Sequence, residues 1–462
     1  MCLPLFCKQR CLPKIKNEMI NKLNEKIKQF FETTKKWSLD HLHGIDIFDE
    51  HYIDKAKTNP WYILGSLVWL FWMVTIVSGC ILMSIYIPSI TEAYDSIIKI
   101  QTQIPFGGLI RGVHKYGADA LIIAATIRLY RILIAADYKG NRELIVAIAL
   151  LTLLLGMYSG LTGYLLIWNQ RAFWATKVFA TFPTYVDQFW IVGPTFIGGN
   201  TSQILLGGSS IGQATMTRFY SLHVAFTLIA LIAYELYIYK TGFKRLNISW
   251  AQALIPILMV CIASIILPAQ AGHRADPNVT PLPILSDWYF LALYQFYKYI
   301  EPVWATALTV LIPLTVVILP FFDFGVETSI FKRPIFLAVC FMGFTEFIVF
   351  SILIILNIAN IHTDPPVWRA YSAAVIGMGI IWQYILHKIQ RPEKLPVTLM
   401  DFVAYVVIPI FVMYWSFPFL LNGFRTVEAQ ITGMLICLIP AVIAYSWHLF
   451  FRRRLTNVEV AK

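Results

Sequence analysis

Charge is what this sequence lacks most. Only 14% of its 462 residues are Asp, Glu, Lys or Arg, against 58% hydrophobic. That is too little charge to coat a soluble protein of this length. Acidic residues are the scarcer sign, 26 against 37 basic ones, which leaves a net charge of +11. The basic excess is no nucleic-acid footprint, because Lys and Arg gather in alternate connections between apolar runs, as the positive-inside rule predicts. No C-x-x-C-H occurs, which excludes c-type haem attachment by that motif. Residues 13–36 are too rich in lysine for a secretory h-region. Their Ile, Leu and Phe recur at helical spacing, which predicts an amphipathic helix on the cytoplasmic membrane surface. Cysteine is sparse. Cys2, Cys7 and Cys11 form C-x4-C-x3-C without a histidine, a spacing that fits no familiar metal site. Cys80, Cys261, Cys340 and Cys437 fall in apolar runs as packing residues.

What is there in quantity is apolar runs of about 20 residues, the length that crosses a hydrocarbon core. They fall at 60–88, 111–135, 143–168, 217–240, 249–268, 302–322, 334–358, 367–388, 397–421 and 431–451. The expected fold is an all-α, polytopic transmembrane helix bundle of about ten spans. Lys139 and Arg142, then Lys240, Lys244 and Arg245, then Lys332 and Arg333, then Lys388, Arg391 and Lys394, then Arg452 to Arg454 mark one side. Both termini are therefore expected on the cytoplasmic side. Two outer connections are long, 169–216 and 269–301. Such loops are often functional, and their aromatic density also suits an interfacial belt.

Chemistry concentrates in two runs, RGVHKYGADALIIAATIRLYR from Arg111 and TRFYSLHVAFTLIALIAYELYIYK from Thr217. His114 and His223 sit a few residues inside them, each preceded by an arginine, Arg111 or Arg218. Two facing imidazoles at one depth in a bundle can grip a metal or a haem iron. Gly65 and Gly79 are 14 residues apart in the first run, as are Ala149 and Gly163 in the third. Such a pair shares a helix face at depths that differ by roughly 21 Å. Glycine there permits close helix packing, or lets a flat cofactor press on backbone.

With RGVHKYGA, GYLLIWNQ, TRFYSLH and DPNVTPLPILSDWYF together, the chain from Trp61 to Tyr289 resembles the cytochrome b subunit of cytochrome bc and chloroplast-type bf complexes. The resemblance implies four domains. These are a cytoplasmic segment (1–59), a four-helix haem-binding bundle (60–245), cytochrome b-like helices with an outer quinol-site loop (246–360) and additional spans (361–462). It implies haem-iron ligation by His114 and His223, close-approach glycines at Gly79 and Gly163, and propionate partners at Arg111 and Arg218. The family's Pro-Glu-Trp-Tyr signature reads Ser286-Asp287-Trp288-Tyr289, so Asp287 and Tyr289 are the implied quinol-site residues. Asp287 would accept a quinol proton.

The inner level departs from the family. Its second histidine pair is replaced by Arg128 and Tyr237, and one glycine by Ala149, while Gly65 and Arg131 remain. Arginine offers iron no lone pair. One haem b is therefore expected, on the outer side, without a complete Q cycle. Arg128 would occupy vacated space and need a water cavity, a lipid phosphate or an acid, Glu235 being nearest in sequence and Asp119 farther off. The implied partners are a Rieske iron–sulfur protein, a cytochrome c-type subunit, quinone and lipid, in a homodimeric complex of an energy-transducing membrane, expected to be the bacterial cytoplasmic membrane. No nucleic acid is expected. The alternative is a non-enzymatic scaffold for other redox subunits. His41, His43 and His51 among nearby acids read as a solvated stretch or a metal site.

Overall fold

The computed structural model describes residues 60–323, apart from 141, 190–191, 242–247, 282–284 and 300–301, with parts of 25–37 and 328–355. All regular structure among the described residues is helical. The expected spans at 367–388, 397–421 and 431–451 lie outside the described residues. So do Cys2, Cys7, Cys11, His41, His43 and His51.

The helices are α1 (Leu64–Met83), α2 (Ala93–Thr102), α3 (Gly107–Ala135), α4 (Leu144–Leu165), α5 (Gln170–Phe179), α6 (Ile197–Leu206), α7 (Gln213–Thr241), α8 (Trp250–Ile266), α9 (Leu291–Tyr299) and α10 (Pro302–Ile318). By length and composition, Leu64–Met83, Leu144–Leu165, Gln213–Tyr234 and Pro302–Phe322 can each cross a membrane. α3 has 29 residues and exceeds the span length, but it carries Arg111, Lys115, Asp119, Arg128 and Arg131. Charges on a helix this apolar must face protein or a cavity rather than lipid. The packing bears this out: α1 and α4 lie against α3, α7 lies against α4, and α8 covers another flank of α3. The end of the bundle nearer His114 is called outer here, following the charge pattern.

Apolar side chains of α1 and α3 mesh through Val68, Phe71, Trp72, Leu121, Ala124 and Ala125. Between α3 and α4, Leu129, Ile132, Leu133, Val146 and Ala149 fill the inner end. α3 stops because Ala136 turns left-handed at φ 60°, its N–H returning to the Ile132 carbonyl. Near the other terminus, residues 27–34 are helical and exposed, with Phe30 and Phe31 on the surface. The Trp37 ring stacks on Phe321 with centroids 5.8 Å apart.

The long outer connections are not loops throughout. α5, α6 and a short 3-10 helix at Phe182–Gln188 lie within 169–216. Asn169 ties this connection to the next one. Its Oδ1 caps α5 by accepting from Ala172 N at 2.8 Å, and its Nδ2 donates to the Ala271 carbonyl at 2.7 Å. An isolated bridge pairs Asn169 with Arg274.

At the inner end, Arg333 is buried and its guanidinium donates to the carbonyls of Leu133 at 2.9 Å and Ile134 at 2.5 Å. These are last-turn carbonyls of α3, which have no partner within the helix. Arg333 also donates to the Tyr138 hydroxyl, which donates to Asp323 Oδ2, while Lys139 pairs with Asp323 Oδ1 at 3.0 Å. Replacing Arg333 with Met should lower the stability of the detergent-solubilised protein by about 2–3 kcal/mol. Thermal unfolding should show the loss with the outer chemistry unchanged.

Candidate functional site

α3 and α7 run in the same direction, both joined to the helices before them by the outer connections. They bring the His114 and His223 rings together, with centres 6.0 Å apart and planes at 75°. Each ring is aimed from behind. His114 Nδ1 lies 3.0 Å from the Thr75 carbonyl and 3.2 Å from Ser78 Oγ. His223 Nδ1 lies 2.8 Å from the Ser159 carbonyl and 3.5 Å from Ser159 Oγ. A carbonyl only accepts, so each Nδ1 carries the proton and each Nε2 keeps its lone pair. This is how a protein fixes a ligating imidazole from behind.

The glycines explain how the rings come so close. Thr75 and Ser159 each precede a glycine by one turn, Gly79 on α1 and Gly163 on α4. A Cβ at Gly79 would lie 3.0 Å from His114 Cε1, and one at Gly163 would lie 2.6 Å from His223 Cε1. The contact is tight at Gly79 and forbids a Cβ at Gly163 unless the His223 ring shifts. A metal–imidazole bond is about 2.0–2.1 Å long, and the ring centre lies roughly 1.1 Å behind the nitrogen, so a metal between two imidazoles spaces their centres by roughly 6.3 Å. The observed spacing and donor set fit a haem iron held by two histidines.

A cavity of about 280 Å³ opens from this pair. His114, His223, Gly79, Gly163, Asp287 and Tyr289 all line it. Asp287 caps the one-turn helix Trp288–Phe290. Burial pushes its carboxyl pKa up, against the opposing pull of the Arg171 guanidinium. The Arg171 Nη2 fixes the same loop by donating to the Ser286 carbonyl at 2.5 Å. Tyr289 is buried, and its hydroxyl sits directly over Gly160, where a Cβ would collide with it.

Arg111 and Arg218 take different places. Arg111 is buried on the cavity wall and donates to the Ala269 and Gln270 carbonyls. Arg218 is exposed and donates to the carbonyls of Gln203 and Ile204 at the end of α6. Both guanidiniums are held by the outer connections. Lys115, Asp119 and Tyr164 also line the cavity. Sequence reasoning gave none of these three a place in the outer site. Their only signal was their spacing from the two motifs, Lys115 and Asp119 one and five residues after His114, and Tyr164 one after Gly163.

Two family descriptions match the chain, Cytochrome b/b6/petB over residues 50–242 and Cytochrome b(C-terminal)/b6/petD over 274–376. The cytochrome b6 of Cyanidium caldarium is 34% identical over 188 residues, which are 40% of this chain and 84% of that protein. The chain belongs to the cytochrome b/b6 family. A cytochrome bc complex cytochrome b subunit from Chlorobaculum thiosulfatiphilum is 29% identical over 283 residues, covering 55% of this chain and 63% of that protein. In fold, the chain is similar to a protein from a structure titled "Hyperthermophilic respiratory Complex III". The TM-score is 0.57 at 21% identity, over 84% of this chain and 92% of that one. Membership in the family implies haem b, and the bis-histidine pocket is where the residues fit it.

The inner level of this cytochrome b has no such pocket among the described residues. Arg128 is buried, and its guanidinium lies beside Gly65, where a Cβ would be 3.7 Å from Nε. Its Nη1 meets no acceptor among the described residues. Ala149 is fully packed at 1% exposure. The side chains of 235–241 lie outside the described residues, and with them the expected pairing to Glu235 and the position of Tyr237.

The two glycines predict a graded effect. Gly163→Ala must displace the His223 ring, whereas Gly79→Ala asks His114 to give only a few tenths of an ångström. Haem retained per chain, read as pyridine haemochrome absorbance after purification, should fall much further in Gly163→Ala than in Gly79→Ala.

Proposed function

We propose that this chain is the membrane electron-transfer subunit of a quinol-oxidising, cytochrome bc-type complex that holds a single b haem. The observation that carries this reading is the one cavity shared by the His114–His223 pair and by Asp287 and Tyr289. When bound, the haem supplies a one-electron acceptor beside the quinol position. The chain's own residues do the rest. The neutral Nε2 atoms would hold iron, and the glycines admit the rings. Asp287 accepts a proton from the quinol hydroxyl, which requires its ionised form. Tyr289 closes the wall at Gly160.

The single-haem reading rests on Arg128. Arginine stays protonated and cannot ligate iron, and its guanidinium lies along the one inner glycine that remains. With no inner haem, the route to an inner quinone site is interrupted and the Q cycle is incomplete. A Rieske iron–sulfur protein and a cytochrome c-type subunit, in a homodimeric assembly, are the partners that the family resemblance supplies for electron removal. The whole sits in an energy-transducing membrane with both termini cytoplasmic.

Haem content of the purified protein is the deciding measurement. One b haem per chain is expected, and His114→Ala should abolish it. Two per chain would overturn the single-haem reading and restore the full cycle. None would leave a scaffold. Asp287→Asn should keep the haem and cut quinol turnover by about 100-fold or more. Wild-type turnover should fall as pH drops through the raised pKa of Asp287, at a higher pH than for an ordinary carboxylate.

A further inference from the structure

An acid on the histidine helix is left over by this account. Asp119 lies on α3 five residues after His114, with its side chain 17% exposed. A carboxylate at such a place is costly unless its oxygens are used, and both are. Oδ2 pairs with Lys115 Nζ at 2.5 Å, an i,i+4 pair along one face of α3. Oδ1 accepts from the Trp288 indole Nε1 at 3.0 Å, across 169 residues of sequence. Trp288 stands between Asp287 and Tyr289, and Lys115, Asp119, Asp287 and Tyr289 all line the one cavity. A single indole bond therefore ties the Ser286–Tyr289 loop to the helix that carries His114.

We propose that Asp119 is a positioning residue for quinol oxidation: its carboxylate holds the Trp288 indole and so sets where Asp287 and Tyr289 stand relative to the His114 helix. The proposal rests on the outer-site reading above. It gives the loop a fixed distance from the metal ligand, which the loop's own backbone does not provide.

The charge of Asp119 has a second consequence. The charged and titratable groups facing Asp287 are Arg171 from α5, Asp119 and Lys115 from α3, Tyr164 from the last turn of α4, and Tyr289 from its own loop. His114 and His223 line the same cavity. Asp119 pushes the Asp287 carboxyl up, while Arg171 and Lys115 pull it down. Removing the Asp119 charge lowers the pKa of Asp287, so the acid limb of turnover moves to lower pH. Removing the Lys115 charge does the opposite.

The test uses the purified complex with a short-chain benzoquinol, with haem content read in parallel. Asp119→Leu loses both the indole acceptor and the charge, and should cut kcat tenfold or more with haem content unchanged. Asp119→Asn keeps an oxygen for the indole. It should restore most of the turnover and move the acid limb to lower pH. Lys115→Met should move that limb up. Wild-type kcat in Asp119→Leu, or an acid limb that stays put in both Asp119→Asn and Lys115→Met, overturns the proposal. If Asp119→Leu loses haem, the pH limbs of the other two variants decide the matter. If Asp287→Asn retains full turnover, the outer-site reading itself fails, a result separate from any of these.

Discussion

A backbone carbonyl that already serves its own helix anchors each of the two facing imidazoles. Thr75 and Ser159 accept from Nδ1 of His114 and His223 at 3.0 and 2.8 Å. This fixes the tautomer, the ring plane and the direction of the free lone pair in one contact. It works only if the ring reaches the partner helix's backbone, and the glycine one turn further on makes that approach possible. Acceptor and gap thus lie within a single turn of α1 and again of α4, facing donors on α3 and α7. In an apolar bundle a buried imidazole without such an acceptor would itself be costly, so the arrangement satisfies polar groups and prepares a ligand set at once.

α3 is the element through which everything else is coupled. It presents His114 to the cavity, Arg111 to the carbonyls of the 269–270 segment, and Asp119 to Trp288. Its last carbonyls are closed by Arg333 from beyond α10. A helix with this many charges would be unstable facing lipid, which explains why α1, α4 and α8 surround it. Arg111, His114 and Asp119 each reach a different neighbour, so the register of α3 sets the placement of the outer loop, the histidine level and the inner closure together.

Much of this was legible because membrane spans and metal pairs leave local signals. Hydropathy located α1, α4, α7, α8 and α10 to within a few residues. A histidine a few residues inside each of two runs was visible in the sequence, and the family resemblance added the facing glycines. The helical residues 27–34 fall within the 13–36 stretch whose spacing predicted a helix. What escaped were contacts made over long sequence distances. α5 and α6 are ten-residue helices held by caps such as Asn169, too short to show a strong period. Asp119 was weighed only as a distant partner for Arg128, because its indole partner is 169 residues away. Arg111 and Arg218 were read for their charge alone, yet their donors are occupied by backbone carbonyls of folded connections that composition does not reveal.

The two levels of the bundle show how one change decides chemistry. At the outer level a glycine on α1 faces an imidazole, which can give a lone pair. At the inner level Gly65 on the same helix faces a guanidinium, which can only donate hydrogen bonds. The backbone gap is retained while the group that fills it has changed from ligand to cation. A buried guanidinium disfavours a second cationic centre beside it and favours an anionic or carbonyl oxygen. On the α1 side a glycine stands at each level, and what separates the two is whether the facing side chain has a lone pair to offer.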